Sequence, residues 1–342
     1  MNAPAQQKLL DDLPLDRSVY PHQYDVARDQ FLLVRIASDA QDKASFLDDR
    51  VLSPNTQGAW FSWDQLAPAR AKLADQRPHY IFHMGHCGST LISRLISAAT
   101  EAIAMREPLP LRALAFDAVE GAGALLSETG FVERFSFFER CWARGDRPVI
   151  VKATSICTDL AGQADAGGAR ALFLYQTPET HLAALLAGAN TLNDLRGFAQ
   201  MRHRRLSRRY EAPLLAMSTV GELAAQVWLS EAIAAAKLHD QAGLAIMNFE
   251  AFLSAPALEL ARACTLFGLT PGGDKIEDAL GGPIMQTYSK SPDHAYSPAT
   301  RREIITDAEE KHAEEIRRGV AYLDAAGKHS KEMARALDLF AD

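Results

Sequence analysis

The chain has 342 residues, 48% hydrophobic and 23% charged, enough to bury a sizeable core and unlike disordered, fibrous or collagenous sequences. Its formal net charge of −7 excludes a protein that coats nucleic acid through a general positive field, though local basic patches remain. Cys87, Cys141, Cys157 and Cys264 show no CxxC spacing, which argues against a disulfide framework or a cysteine zinc site and for small buried hydrophobes.

The N-terminal stretch "MNAPAQQKLLDDLPLD" lacks a basic region followed by an apolar run, and no apolar stretch reaches spanning length. The expectation is a soluble cytoplasmic protein with no membrane and no nucleic-acid partner. "QFLLVRIA" suits a strand or a helix start. The three aromatics of "GAWFSWDQL" are expected to pack residues 1–75, an N-terminal segment, onto the main body. The boundary falls where the polar "LAPARAKLADQR" meets Pro78, so the core domain is expected over 76–342.

From there the pattern alternates. Strand candidates "YIFHM", "AIAMR", "PVIVKAT", "ALFLYQ" and "LAIMNFE" are separated by helical periods such as "STLISRLISAA", "GELAAQVWLSEAIAAAKL" and "PALELARACTLFGL". Short, wholly apolar strands suit burial on both faces. The predicted class is therefore α/β, a three-layer, mostly parallel sheet flanked by helices, with ligands beyond the carboxyl ends of the strands.

Gly85, His86, Cys87, Gly88, Ser89 and Thr90 form a turn at one such end that opens a helix, where glycines permit tight backbone geometry and free amides can face an anion. The ATPase pattern GxxxxGK[ST] needs a lysine that is missing here. Three later segments, "REPLPLR", "VIVKAT" and "LAIMNFEAFLSAPALELARACTLFGLT", follow in order. Together with the turn they resemble the sulfotransferase superfamily over residues 79 to about 325. The resemblance implies a nucleotide-binding P-loop-like fold and transfer of a sulfuryl group from 3′-phosphoadenosine 5′-phosphosulfate to a small-molecule acceptor. It places Glu107 as the general base of the family's glutamate branch, Lys152 at the strand end that carries a lysine, and His86 where the family carries a cation. Where the family has an arginine and a serine on the donor's 3′-phosphate, this chain has Gln176 and Ala184.

Sulfuryl transfer asks for alignment, charge neutralisation on the transferred oxygens, and a base for the acceptor. Glu107 follows "AIAMR" and suits the base, against a plain helix-starting glutamate before Pro108. Lys152 ends an apolar run, so its ammonium either emerges at a polar site or snorkels to solvent. A metal held by His79, His83 and His86 is disfavoured because no carboxylate or cysteine completes the spacing. Cys87 suits packing better than nucleophilic attack. In "RHRRLSRRY", Arg202, Arg205 and Arg209 share one helical face and Arg204 and Arg208 another, a solvated run or a site for the donor's anion. Lys290 and Tyr296 lie in a long polar loop that suits a lid. Two rivals remain: a phosphotransferase or nucleotide hydrolase with Glu107 as a Mg²⁺ ligand, and a nucleotide-binding protein without turnover. The oligomeric state is left open.

Overall fold

The computed structural model describes residues 3–188, 191–210, 216–287 and 297–341. Among the described residues eight strands form two sheets. The first is antiparallel, in the order β1 (Val19–Asp25), β2 (Gln30–Arg35), β3 (Gly58–Ser62). "QFLLVRIA" thus supplies the middle strand, with Phe31 and Leu33 buried. The second sheet holds β4 (His79–His83), β5 (Ile103–Arg106), β6 (Val149–Lys152), β7 (Ala171–Tyr175) and β8 (Ala245–Asn248). Its order is β5-β6-β4-β7-β8 and every pairing is parallel.

Tyr80–Phe82 in β4, Val149–Val151 in β6 and Leu172–Tyr175 in β7 are apolar and buried because both faces of the sheet are covered. From β4 the chain crosses by the helix Ser89–Ala99 towards β5; from β6 it crosses by Ala161–Ala166 to β7 on the other side of β4. Right-handed crossovers in opposite directions put these helices on opposite faces, which makes three layers. They also make β4 the switch point, where chain direction reverses and a crevice opens at the carboxyl edge.

The helix Val220–Ala242 backs one face. A capping box of Thr219 and Glu222 starts it, and Gly243 at φ 67° ends it. Its middle, from Ala224 to Ala236, is buried all round, and small residues let neighbours come close. A Cβ on Gly221 would lie 1.8 Å from the Glu315 carbonyl oxygen, so the crossing with the helix Ala313–His329 requires glycine there.

The N-terminal sheet is fastened to the parallel-sheet unit by an aromatic cluster in which Phe31 stacks on Tyr24 and Trp63 and meets Phe137 edge-on. The Arg144 guanidinium donates to the carbonyls of Leu13, Asp16 and Val19. Of the three aromatics expected to pack, Phe61 is buried and Trp63 joins the cluster, whereas Trp60 is 44% exposed: alternation along β3 turns it outward. No described helix is long and apolar enough to cross a membrane.

Candidate functional site

Parallel strands put every strand end on one edge of the sheet. There β4 passes through Met84 into the turn 85–90. Gly85, His86 and Gly88 all have positive φ, at 89°, 53° and 70°. Runs of such residues curl the backbone so that successive amides face inward, a shape that receives anions. The Gly85 amide is already used: it donates to His83 Nδ1 at 2.9 Å, which leaves Nε2 to carry the proton towards the Ala153 carbonyl at 2.8 Å. His83 thereby clamps the turn to the end of β6. His79 accepts from the Arg170 amide and stacks on Phe267, so the structure engages both histidines in the scaffold.

The helix Ser89–Ala99 starts without a side-chain cap because Gly88 has none to offer. Its first amides therefore face the turn's concavity with the positive end of the helix dipole. Ser89 and Thr90 are buried, and Thr90 Oγ1 has no hydrogen-bond partner among the described residues. Cys87 donates its thiol to the Leu174 carbonyl at 3.3 Å and is fully buried, so its side chain packs. The bare Cα of Gly88 is faced by the protein itself. A Cβ there would fall 2.0 Å from the Phe249 ring, so that space belongs to the protein, and a valine would disturb packing as well as the turn.

Glu107 and Lys152 come together. Arg106 is paired with Lys152, and the Glu107 amide extends the ladder by donating to the Lys152 carbonyl at 2.7 Å. An extended residue 107 would then face away from Lys152. Its φ of 55° breaks the alternation, and the Lys152 ammonium donates to Glu107 Oε1. A left-handed residue just before proline is strained, at about 1–3 kcal/mol. Lys152 is fully buried and the Glu107 carboxylate is 21% exposed, so the acid opens to the edge and the cation supports it from within.

The N-terminal unit reaches this pair, a contribution no sequence pattern announces. Leu47 donates its amide to the Arg106 carbonyl, and the Arg106 guanidinium donates to the carbonyls of Ala44 and Asp42. Phe46 lies between two cations, 5.8 Å from the Lys152 ammonium and 3.9 Å from the Arg50 guanidinium. Arg50 forks onto Asp48 and also feels the charge of Glu107.

On the other side of β4, Gln176 follows β7. Its carbonyl accepts from Trp228 Nε1 at 3.0 Å, its side-chain nitrogen points to Glu250 at 3.4 Å, and Oε1 is without a partner among the described residues. Glu250 is held in turn by Arg301 at 2.7 Å. A guanidinium from the helix Pro298–Lys311 thus enters the cluster in which the chain itself has a neutral glutamine. His181, on the helix Pro178–Leu186, is fully buried, and both ring nitrogens lack partners among the described residues. Burial, with the positive charges of His86 and Arg202, pushes its imidazole down to about 3. Nothing in "ETHLAALL" distinguishes it from a core histidine.

The arginine run divides. Arg205, expected at the donor's anion, is instead fully buried against the chain's own acids: Nε donates to Asp159 at 2.7 Å and Nη1 to Glu231. Its charge is met inside the core by these two carboxylates, and Nη2, the nitrogen left without a partner among the described residues, is buried as well. Arg202 lies buried over the Phe198 ring, and Arg204 and Arg208 pair with Glu120 at the surface. Lys290 and Tyr296 lie outside the described residues.

Neither a protein-family model nor a curated protein matches the chain. Solved sulfotransferases are similar to it in fold. Mouse sulfotransferase SULT7A1 complexed with PAP has 11% identity and a TM-score of 0.42, with 83% of this chain and 98% of that one covered. A sulfotransferase from Alicyclobacillus acidocaldarius has 14% identity and a TM-score of 0.35, with 73% of this chain and 95% of that one covered.

Proposed function

We propose that the chain is a sulfotransferase-type enzyme that moves a sulfuryl group from 3′-phosphoadenosine 5′-phosphosulfate to a hydroxyl or amine of a small molecule. The observation that carries this is the Glu107–Lys152 pair, held beside the left-handed turn 85–90 on one sheet edge. The pair supplies a base and a cation at one point, and the turn supplies amides for the donor's phosphosulfate. Thr90, with its buried unpartnered hydroxyl, fits an anionic ligand there.

Glu107 takes the proton of the acceptor as the acceptor oxygen or nitrogen bonds to sulfur. The bond from sulfur to the bridging oxygen breaks, and adenosine 3′,5′-bisphosphate departs with that oxygen. Lys152 offsets charge on the transferred oxygens, and the exposed imidazole of His86 stands at the turn to meet the bridging oxygen. Arg301, joined to Gln176 through Glu250, is the guanidinium placed to answer the donor's 3′-phosphate. Because the ammonium of Lys152 occupies Glu107, the arrangement suits a base better than a Mg²⁺ ligand.

The test is calorimetric binding of adenosine 3′,5′-bisphosphate together with sulfuryl transfer to a panel of phenols. Glu107→Gln should lower turnover by roughly a hundredfold or more while bisphosphate affinity stays within about twofold. Binding of ATP with Mg²⁺ in preference to the bisphosphate would replace this reading with a phosphotransferase. Unchanged turnover in the variant would move the base elsewhere.

A further inference from the structure

A cleft of about 450 Å³, lined by Leu109 two residues on from Glu107, opens between the N-terminal unit and the helix Leu109–Val119. Leu109, Ala113 and Phe116 give it an apolar wall, and Asp48, Asp49, Arg50 and Arg112 supply its charges. Three of those charges are already engaged. Arg50 is forked onto Asp48, and Asp49 accepts from His22 and Gln23, each at 2.9 Å. Arg112 differs: it is a half-buried residue that feels the charge of Asp48, but its guanidinium makes no hydrogen bond among the described residues. An arginine with five donors facing a cleft, while the acids around it are satisfied by others, is a receptor for a planar anion.

We propose that this cleft holds the acceptor and that Arg112 selects acceptors bearing a carboxylate: small hydroxylated carboxylic acids whose apolar body lies on Leu109 and Phe116. The inference rests on the sulfotransferase reading for the word acceptor, and on the cleft alone for the anion. Arg50 links the two, because it lines the cleft and feels the charge of Glu107. A hydroxyl at one end of the ligand therefore meets the base while the carboxylate at the other meets Arg112. The volume suits a single-ring molecule.

The probes are 4-hydroxyphenylacetate and its neutral analogue 4-hydroxyphenylethanol, titrated calorimetrically into the full chain saturated with adenosine 3′,5′-bisphosphate, and assayed as acceptors. The acid should bind roughly tenfold or more tightly than the alcohol, and Arg112→Gln should erase that preference by weakening only the acid. An unchanged melting temperature and unchanged bisphosphate affinity in the variant separate this from misfolding. Selective binding of the acid without transfer would sustain the anion site and overturn the sulfotransferase reading. Equal affinities in the wild-type chain, a preference that survives Arg112→Gln, or no binding of either probe would overturn the inference.

Discussion

Glu139 accepts hydrogen bonds from Tyr80 at 3.1 Å and Arg77 at 2.9 Å, near the start of β4 and away from the carboxyl edge of the sheet. Burial still pushes its carboxyl up to about 7 from an ordinary 4.5, with Arg77 and Tyr80 pulling the other way. The unfolded chain ionises this group first. Its contribution is fully present below pH 4.5 and is lost as pH rises through 7. Glu139→Gln keeps an acceptor for Arg77 or Tyr80 and cannot ionise. Urea unfolding at pH 5 and pH 8 should show the variant gaining on the wild type by a few kcal/mol over that range; parallel curves would sink the assignment. Single residues also mark what a sequence hides. "REP" names Glu107 as a base candidate, but a residue before proline is biased to extended backbone, so its left-handed turn onto Lys152 has no local signal.

At the scale of elements, strands and helices of the parallel-sheet unit were legible because apolar runs and 3.6-residue periods are set by burial, which the architecture demands everywhere. "STLISRLISAA" coincides with the helix Ser89–Ala99, and "PALELARACTLFGL" outruns its helix by three residues because Gly268 ends it in a left-handed turn. The run "RHRRLSRRY" was ambiguous for a physical reason. Periodicity places charges on faces but does not say which partner each face meets. The helix Thr191–Arg204 passes at Arg205 into a π-helical turn that delivers the guanidinium to Asp159 and Glu231, while Thr158 donates to Glu231 and Tyr210 to Asp159. Arg205→Met would strand two buried carboxylates and should cost about 3–5 kcal/mol, whereas Arg208→Ala, losing a half-exposed pair with Glu120, should cost about 1 kcal/mol or less. Equal losses in denaturant titrations would show that the buried network does not anchor this turn.

At the scale of the molecule, the parallel-sheet unit carries the turn, Glu107 and Lys152, and the N-terminal unit completes the cleft beside them. That division was not legible in residues 1–75, because a wall contributed from outside the parallel sheet obeys no motif. Its fastening to the edge depends on Arg106. Arg106→Leu would leave the Ala44 and Asp42 carbonyls without their donor, so amide exchange over residues 42–52 should quicken and acceptor KM should rise, with bisphosphate affinity unchanged. Unaltered exchange would show that Leu47 and Phe46 hold the segment by themselves. The threading of Arg144 into the first turns of the chain has a consequence in time. Leu13 and its guanidinium partner are 131 residues apart, and a ribosome adding about 5–20 residues per second needs roughly 7–26 s to make the second after the first. During that interval the antiparallel sheet has neither the guanidinium that gathers its carbonyls nor the Phe137–Phe138 surface that covers Phe31, so nascent chains stalled before residue 137 should be captured by holdase chaperones and released once Arg144 has emerged.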